Sequence, residues 1–450
     1  MAADCSAKAE DILDKKPDHK SCMPCLQASP AGPGRTARGL RIGYSRRMQS
    51  KPLSLTQVLV CGAAIVTLSM GIRHGFGLWL QPITQAQSWG RADFAFAMAV
   101  QNLAWGFFGI FAGMIADRFG AFRVIAAGAL LYATGLAGMA WSTSPWAFAL
   151  FTGVVIGMAQ AGTTYAVIYG VIGRNVSAER RSWAMGIAAA AGSFGQFLMV
   201  PVEGMLINFT GWQNALLILA AAALLMVPLA LGLREPQLAA ASGARREQTI
   251  GQALGEAFGY RSFQLLMAGY FVCGFQVVFI GVHMPSYLKD AGLSPQVASY
   301  ALALIGLFNV FGTYAAGALG QMLAKRKILA FIYLARSVAI VLFLLAPLSP
   351  ASVYIFSAAM GLLWLSTVPP TNAVVAQIFG VAHLSMLSGF IFFSHQIGSF
   401  MGVWLGGYLY DKTGSYDTVW YLAIALGVFA ALVNLPVREG AIARTQPQAA

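Results

Sequence analysis

Of the chain's 450 residues, 58% are hydrophobic and only 10% are charged, whereas a soluble domain carries about 25% charged residues. So few charges cannot cover a water-exposed surface, which excludes a soluble fold and makes lipid the solvent for most of the chain. The net charge of +13 does not mark a nucleic-acid binder, because its placement along the chain has a different cause.

A membrane-spanning helix needs about 20 apolar residues. Twelve runs of that kind follow one another: 53–81, 93–115, 121–141, 146–173, 182–207, 212–233, 263–288, 297–322, 326–347, 350–378, 384–409 and 418–437. None shows the short alternating pattern of a membrane barrel strand. The spacing therefore predicts an all-α membrane protein. Of the 29 Lys and Arg, only Arg91, Lys289 and Lys412 fall in loops on one side, and Arg73 and Arg336 fall within runs. The other 24 lie in the tails and the loops of the opposite side. Basic residues collect on the cytoplasmic side of a membrane, so both termini and the central loop are expected in the cytoplasm.

Residues 1–50 are rich in Lys, Arg, Pro, Gly and Ser without apolar periodicity, a composition expected to be disordered. Met48 begins MQSKPLSL just before the first run, so residues 1–47 are expected to be dispensable. Cys22-Met-Pro-Cys25 stands without a second pair or nearby histidines at ligand spacing, so it carries no metal-site argument. No cysteine lies in a loop of the low-charge side, which leaves no disulfide framework to expect.

The first run closes on GIRHGFGLWLQP, residues 71–82, and places Arg73 and His74 inside it, with Pro82 expected to end the helix. A charge within a span costs about 3 kcal/mol or more and must face a partner or a wet cavity. This spacing puts Arg73 in the outer half of its helix, about 12 Å from the end. In the second run, Asp93 reads as an N-cap, and Gln101, Asn102 and Trp105 are cavity candidates. The fifth run carries Glu203, a candidate proton acceptor or a carboxylate at headgroup level. Residues 234–262 are charged and helix-poor, a linker between halves.

The turn after the second run reads Gly113-Met-Ile-Ala-Asp117-Arg118-Phe-Gly120-Ala-Phe-Arg123. It resembles the loop between the second and third helices of the major facilitator superfamily. The resemblance implies close packing at Gly113, a tight turn at Gly120, and a latch on the cytoplasmic side built from Asp117, Arg118 and Arg123. It also implies two pseudo-symmetric six-helix bundles, here 51–235 and 263–438, joined by a loop at 236–262 and followed by a tail at 439–450.

An internal repeat supports that division. At an offset of about 203 residues, Gly71-Ile-Arg73 falls on Gly274-Phe-Gln276, Pro82 on Pro285, and Asn208-Phe-Thr-Gly211 on Asp411-Lys-Thr-Gly414. Binding near the membrane midplane, at the interface of the halves, is the architecture such repeats imply. The twin of Arg73 is the neutral Gln276, so the shared scaffold does without a cation there.

The second half adds His283, then Asn309 and Thr313 in the eighth run, and Arg336 in the ninth, read as a structural charge or a second cation. Trp364 precedes Pro369-Pro370, which should break the tenth helix, and His395-Gln396 follow in the eleventh. The junction Gly406-Gly407-Tyr-Leu-Tyr-Asp411-Lys-Thr-Gly414-Ser-Tyr416-Asp417 resembles that of the bacterial monocarboxylate porter and oxalate/formate-antiporter-like branch. Members move small organic anions, many with a proton, and several use a cation near the outer part of the first helix. Well-known animal members carry an Asp and an Arg in the eighth helix where Asn309 and Thr313 stand here, so their coupling pair is absent.

The expectation is a transporter of a small organic anion in the bacterial inner membrane. Arg73, His74, Gln276, Asn309, Trp364, His395 and Gln396 are its substrate residues, and Glu203 is the proton-coupling candidate. A drug exporter on the same fold is the rival reading, but its GP-rich motif is poorly matched by Gly192-Ser-Phe-Gly195 in the fifth run. A non-transporting sensor is remote, because the tails are too short for a signalling domain. An enzyme is not supported, since no nucleophile–base pair or metal-ligand cluster appears at helical spacing. No cofactor, metal or nucleic acid is expected, and the chain should be a monomer among lipids.

Overall fold

The computed structural model describes residues 53–235, 248–380 and 383–442, apart from the side chains of Asp117, Ala178, Glu179, Arg181, Ser182 and Ser385. The expected disordered tail, the middle of the central loop and the last residues of the chain lie outside this description. Twelve helices are long and apolar enough to cross a membrane. They are α1 (Leu55–Gln87), α2 (Arg91–Ala116), α3 (Ala121–Trp141), α4 (Pro145–Asn175), α5 (Trp183–Thr210) and α6 (Trp212–Leu231) in the first half. The second half holds α7 (Arg261–Asp290), α8 (Pro295–Met322), α9 (Lys325–Leu345), α10 (Pro350–Phe379), α11 (Met386–Thr413) and α12 (Asp417–Asn434). Leu130, Phe331, Leu342, Ile355 and Leu432 are exposed, as helices facing acyl chains require.

Within the first half α1 packs on α5, α2 on α4 and α3 on α6; in the second α7 packs on α11, α8 on α10 and α9 on α12. The halves meet along two seams, α2 with α11 and α5 with α8. Small residues bring the seams together. A Cβ on Gly106 would press on Gln396, one on Gly306 on Gln196, and one on Gly407 on the backbone of Arg91. Gly211 and Gly414, matched by the internal repeat, both turn the chain at positive φ, 78° and 70°.

The two ends of the bundle differ. Call the end bearing Arg118, Arg123 and Arg174 the basic end. The described hydrogen bonds joining the halves run from mid-bundle, where Asn309 donates to Ser193 at 2.8 Å and Gln196 to the Leu302 carbonyl at 2.9 Å, to the far end around Arg91. Towards the basic end, a Cβ on Gly109, Gly113, Gly186 or Gly389 would meet nothing within 4 Å. Among the described residues, the hydrogen bonds that join the halves thus lie between mid-bundle and the far end.

Three local expectations change. Pro82 does not end α1: the helix passes through a 3-10 turn at Phe76–Trp79 and restarts at Leu80–Gln87. Pro82 sits in the first turn of that restart, where a missing N–H costs nothing. The span is therefore 33 residues long, and Arg73 lies near its middle rather than in its outer half. The linker is not helix-poor either. Ile250–Gly259 is an amphipathic helix opened by a capping box between Thr249 and Gln252, a start signal present in the sequence. Finally, Gly90 rather than Asp93 is the N-cap of α2, and the Asp93 carboxylate accepts from the Gly90 N–H at 3.1 Å.

Candidate functional site

Arg73 is held where α1, α2 and α4 converge. Its Nη2 donates to Asn102 Oδ1 at 2.5 Å, and its guanidinium lies 4.6 Å from the centre of the Trp105 ring. Asn102 is itself fixed by donating to the Met98 carbonyl, and Trp105 by donating to the Thr164 hydroxyl at 3.2 Å. Arg73 Nε is buried with no partner. Among the described residues no carboxylate pairs with this guanidinium; the ion pairs present are Arg91–Asp290 and Arg174–Glu235. A planar cation with unspent donors matches a carboxylate held through two parallel hydrogen bonds. His74, next in the chain, likewise has a buried Nδ1 without a partner.

The second half reaches this point through rings. Trp105 meets Phe392 edge-on at 5.2 Å, and Phe392 stacks on His395 at 5.9 Å with 12° between planes. His395 is buried, donates from Nδ1 to Gln396 Oε1 at 3.1 Å, and contacts the Tyr270 ring. Gln396 Nε2 has no partner. Thus Arg73, His74, His395 and Gln396, expected as substrate residues, include unsatisfied polar atoms near the junction of the halves.

The others serve the scaffold. Asn309 donates to Ser193, accepts from Thr313 at 3.0 Å and accepts from the Leu365 N–H at 3.0 Å. Gln276 donates to the Ala423 carbonyl and accepts from Arg336 Nη1 at 3.4 Å, which places its amide among α7, α9 and α12. Trp364 closes the first half of α10, and its carbonyl accepts from Arg336. The amides of Gln276 and Asn309 and the backbone carbonyl of Trp364 thus all bond to other parts of the fold.

Arg336 explains why. The expected break in α10 exists: helix stops at Leu363 and resumes at Val368, with Pro369 and Pro370 in the new first turn. A broken helix frees carbonyls that lipid cannot satisfy. Arg336 is fully buried and donates Nε and Nη2 to the Leu363 carbonyl at 3.0 and 2.7 Å, and Nη2 to the Trp364 carbonyl at 2.5 Å. These bonds are the ones a structural charge would make.

Glu203 is fully buried on α5, accepts from Trp79 Nε1 at 3.1 Å through Oε2, and leaves Oε1 without a partner. Its carboxylate lies so close to Gly75 that a Cβ there would collide with it. Gly75 opens the 3-10 turn of α1, two residues from Arg73. Of the turn motif, Gly120 adopts φ +89° as expected. Gly113 faces open space, Arg118 is exposed beside the Phe119 ring, and Arg123 is exposed. The Asp117 side chain lies outside the described residues. A crevice at the far end, lined by Gln81, Asn208, Lys289 and Ser299, offers only about 60 Å³ and includes none of the expected substrate residues.

Sequence reasoning missed a cluster at the far end. Arg91 grips Asp290 with both Nη atoms, at 2.7 and 2.8 Å. The pair is 199 positions apart, and no local pattern couples such residues.

Twelve apolar helices in two six-helix halves, with a half-buried guanidinium that no described carboxylate pairs, fit a multi-pass membrane transporter rather than an enzyme. The profile of the Major Facilitator Superfamily matches residues 59–370 and 266–450, and the chain belongs to that family. It is 24% identical over 374 residues to an uncharacterized MFS-type transporter, YcxA, of Bacillus subtilis (strain 168), covering 81% of this chain and 90% of that one. It is 25% identical over 377 residues to monocarboxylate transporter 13 of Rattus norvegicus, covering 82% and 86%. Among solved structures, a bacterial homologue of the human lysosomal transporter Spinster, inward-facing and occupied, superposes with a TM-score of 0.70 at 17% identity, covering 86% of this chain and 97% of that one. A D-xylose–proton symporter gives 0.65 at 17% identity, covering 85% and 97%.

Proposed function

We propose that this chain carries a small organic anion, a monocarboxylate or similar carboxylate, across a bacterial inner membrane by alternating access. The observation that carries the reading is Arg73: a guanidinium in the middle of α1, unpaired with any described carboxylate and holding an unspent Nε. Similarity to proteins named monocarboxylate transporters supports the same cargo class. The basic end faces the cytoplasm in this reading, following the distribution of Lys and Arg.

Uptake of an anion against an inside-negative potential costs about 2.3 kcal/mol per 100 mV. A proton travelling with the anion cancels that cost. Glu203 is the group we assign to it, being a buried carboxyl with a free oxygen against Gly75 of α1, two residues from Arg73. The test is uptake by proteoliposomes of labelled lactate, pyruvate, formate and oxalate, with and without a pH gradient. Arg73→Ala should abolish both accumulation and exchange while the protein still inserts; normal transport by that variant overturns the anion site. Glu203→Gln should lose gradient-driven accumulation and keep exchange, and gradient-driven accumulation at the native rate overturns its coupling role.

A further inference from the structure

The far end of the bundle is closed by charges that the twelve-helix scaffold does not itself need. Arg91, at the first turn of α2, donates Nη1 to Asp290 Oδ2 at 2.7 Å and Nη2 to Asp290 Oδ1 at 2.8 Å, a fork-on-fork pair between the halves. Its guanidinium lies 3.7 Å from the centre of the Tyr410 ring, and Nη1 also donates to the Tyr416 hydroxyl at 2.8 Å. Gln81 of α1 adds a bond to Asp290 Oδ1 at 2.7 Å. From α11, Asp411 crosses the seam and accepts from the backbone N–H of Arg91 at 3.0 Å and of Ala92 at 2.7 Å. It thereby caps the start of α2, where an anion also meets the positive end of the helix dipole.

The connection continues inward. His283 Nε2 donates to the Val403 carbonyl at 2.8 Å, so its Nδ1 is the acceptor facing Tyr416, 3.3 Å away. Burial holds the Tyr416 phenol above its usual range, which keeps its proton available for that bond.

The second seam shows that the fold does not require this arrangement. At the repeat offset of about 203, Arg91 corresponds to Ser294 and Asp411 to Asn208, both neutral. Around Asn208 and Pro295 the α5–α8 seam leaves the far-end crevice instead of an ion pair. One seam is latched by charge and its twin is not.

We propose that Arg91, Asp290 and Asp411 form the outer gate of the transporter, a charge latch that must open before cargo enters from outside. Separating the halves at this end breaks the Asp290 fork and uncaps α2 from Asp411 together. The Asp93–Gly90 bond stays within α2, so that helix start keeps one cap in either state. The latch thus sets the balance between outward-open and inward-open forms without touching the cargo.

The experiment reads conformation directly and needs no cargo, so its outcome is independent of the Arg73 assignment. Ser286, 2% exposed at the far-end crevice, with its backbone carbonyl accepting from Gln81, is replaced by Cys in a full chain lacking its native cysteines. Labelling by a membrane-impermeant maleimide from outside is then timed. Asp290→Asn and Asp411→Asn should each speed labelling about threefold to tenfold, the span of an ion pair worth up to about 1 kcal/mol and somewhat more for a forked one. Unchanged labelling in both inserted variants overturns the gate. Should either fail to reach the membrane, Arg91→Lys, which keeps the charge and loses the fork, is read in the same way: faster labelling supports the gate and an unchanged rate overturns it.

Discussion

Arg73 and Arg336 are both arginines inside membrane-spanning helices, and their surroundings could hardly differ more. Arg336 spends Nε, Nη1 and Nη2 on the Leu363 and Trp364 carbonyls and on Gln276. Arg73 makes one bond, to Asn102, rests on the Trp105 face and leaves Nε unpaired. A buried cation is costly unless its donors are used. In Arg336 the protein uses them to repair a broken helix. In Arg73 one of them, Nε, has no partner, and the proposed cargo is what would take it. The charge alone does not mark a site; the unspent hydrogen-bonding capacity does.

That contrast breaks first at Arg73 itself. Arg73→Ala should reduce uptake by about 100-fold or more, the loss of a forked, charge-assisted grip on a buried carboxylate, with little change in the melting midpoint of the purified protein. Arg336→Met should do the reverse. It strands buried acceptors at about 1–3 kcal/mol each, which should show as a lower melting midpoint and less protein in the membrane. Equal stability of the two variants would erase the distinction.

Gly75→Ala comes next, because its new Cβ meets the Glu203 carboxylate. Overpacking of this kind costs about 1–3 kcal/mol. The double variant with Glu203→Ala should recover the stability, read as the melting midpoint, that the single variant loses. The smallest effect expected is at Trp105. Trp105→Leu removes a cation–π contact worth about 0.5–2 kcal/mol, so apparent affinity for the anion should weaken while the maximal rate of uptake stays within about twofold.

Much of the fold was legible. Apolar runs located all twelve spans, since a segment that crosses lipid must be apolar over its whole length. The broken tenth helix was legible from Pro369-Pro370, and the turn at Gly120 from the motif that carries it. The short helix at Ile250–Gly259 went unread although Thr249 and Gln252 announced its start. The site was legible only in part. Arg73 and Glu203 stood out because ionisable residues are rare in apolar runs. Gln276 came forward as the repeat twin of Arg73 and Asn309 as a polar residue in an apolar run, and neither signal could show which hydrogen bonds their amides make in the fold.

The sequence by itself determined the solvent, the number of spans, the division into halves and the family's turn motif, because each follows from local composition or from a repeat within one chain. Only the tertiary structure decided which polar atoms are left over. Arg336 is satisfied by α10 and Gln276, Asp290 by Arg91 and Gln81, and Asp411 by the start of α2. Most of these partners are far away in the chain, and hydrogen bonding in a membrane interior is an accounting between helices rather than within them. Arg73 emerges from that accounting with a donor unspent, and this remainder is the property on which the proposed function rests.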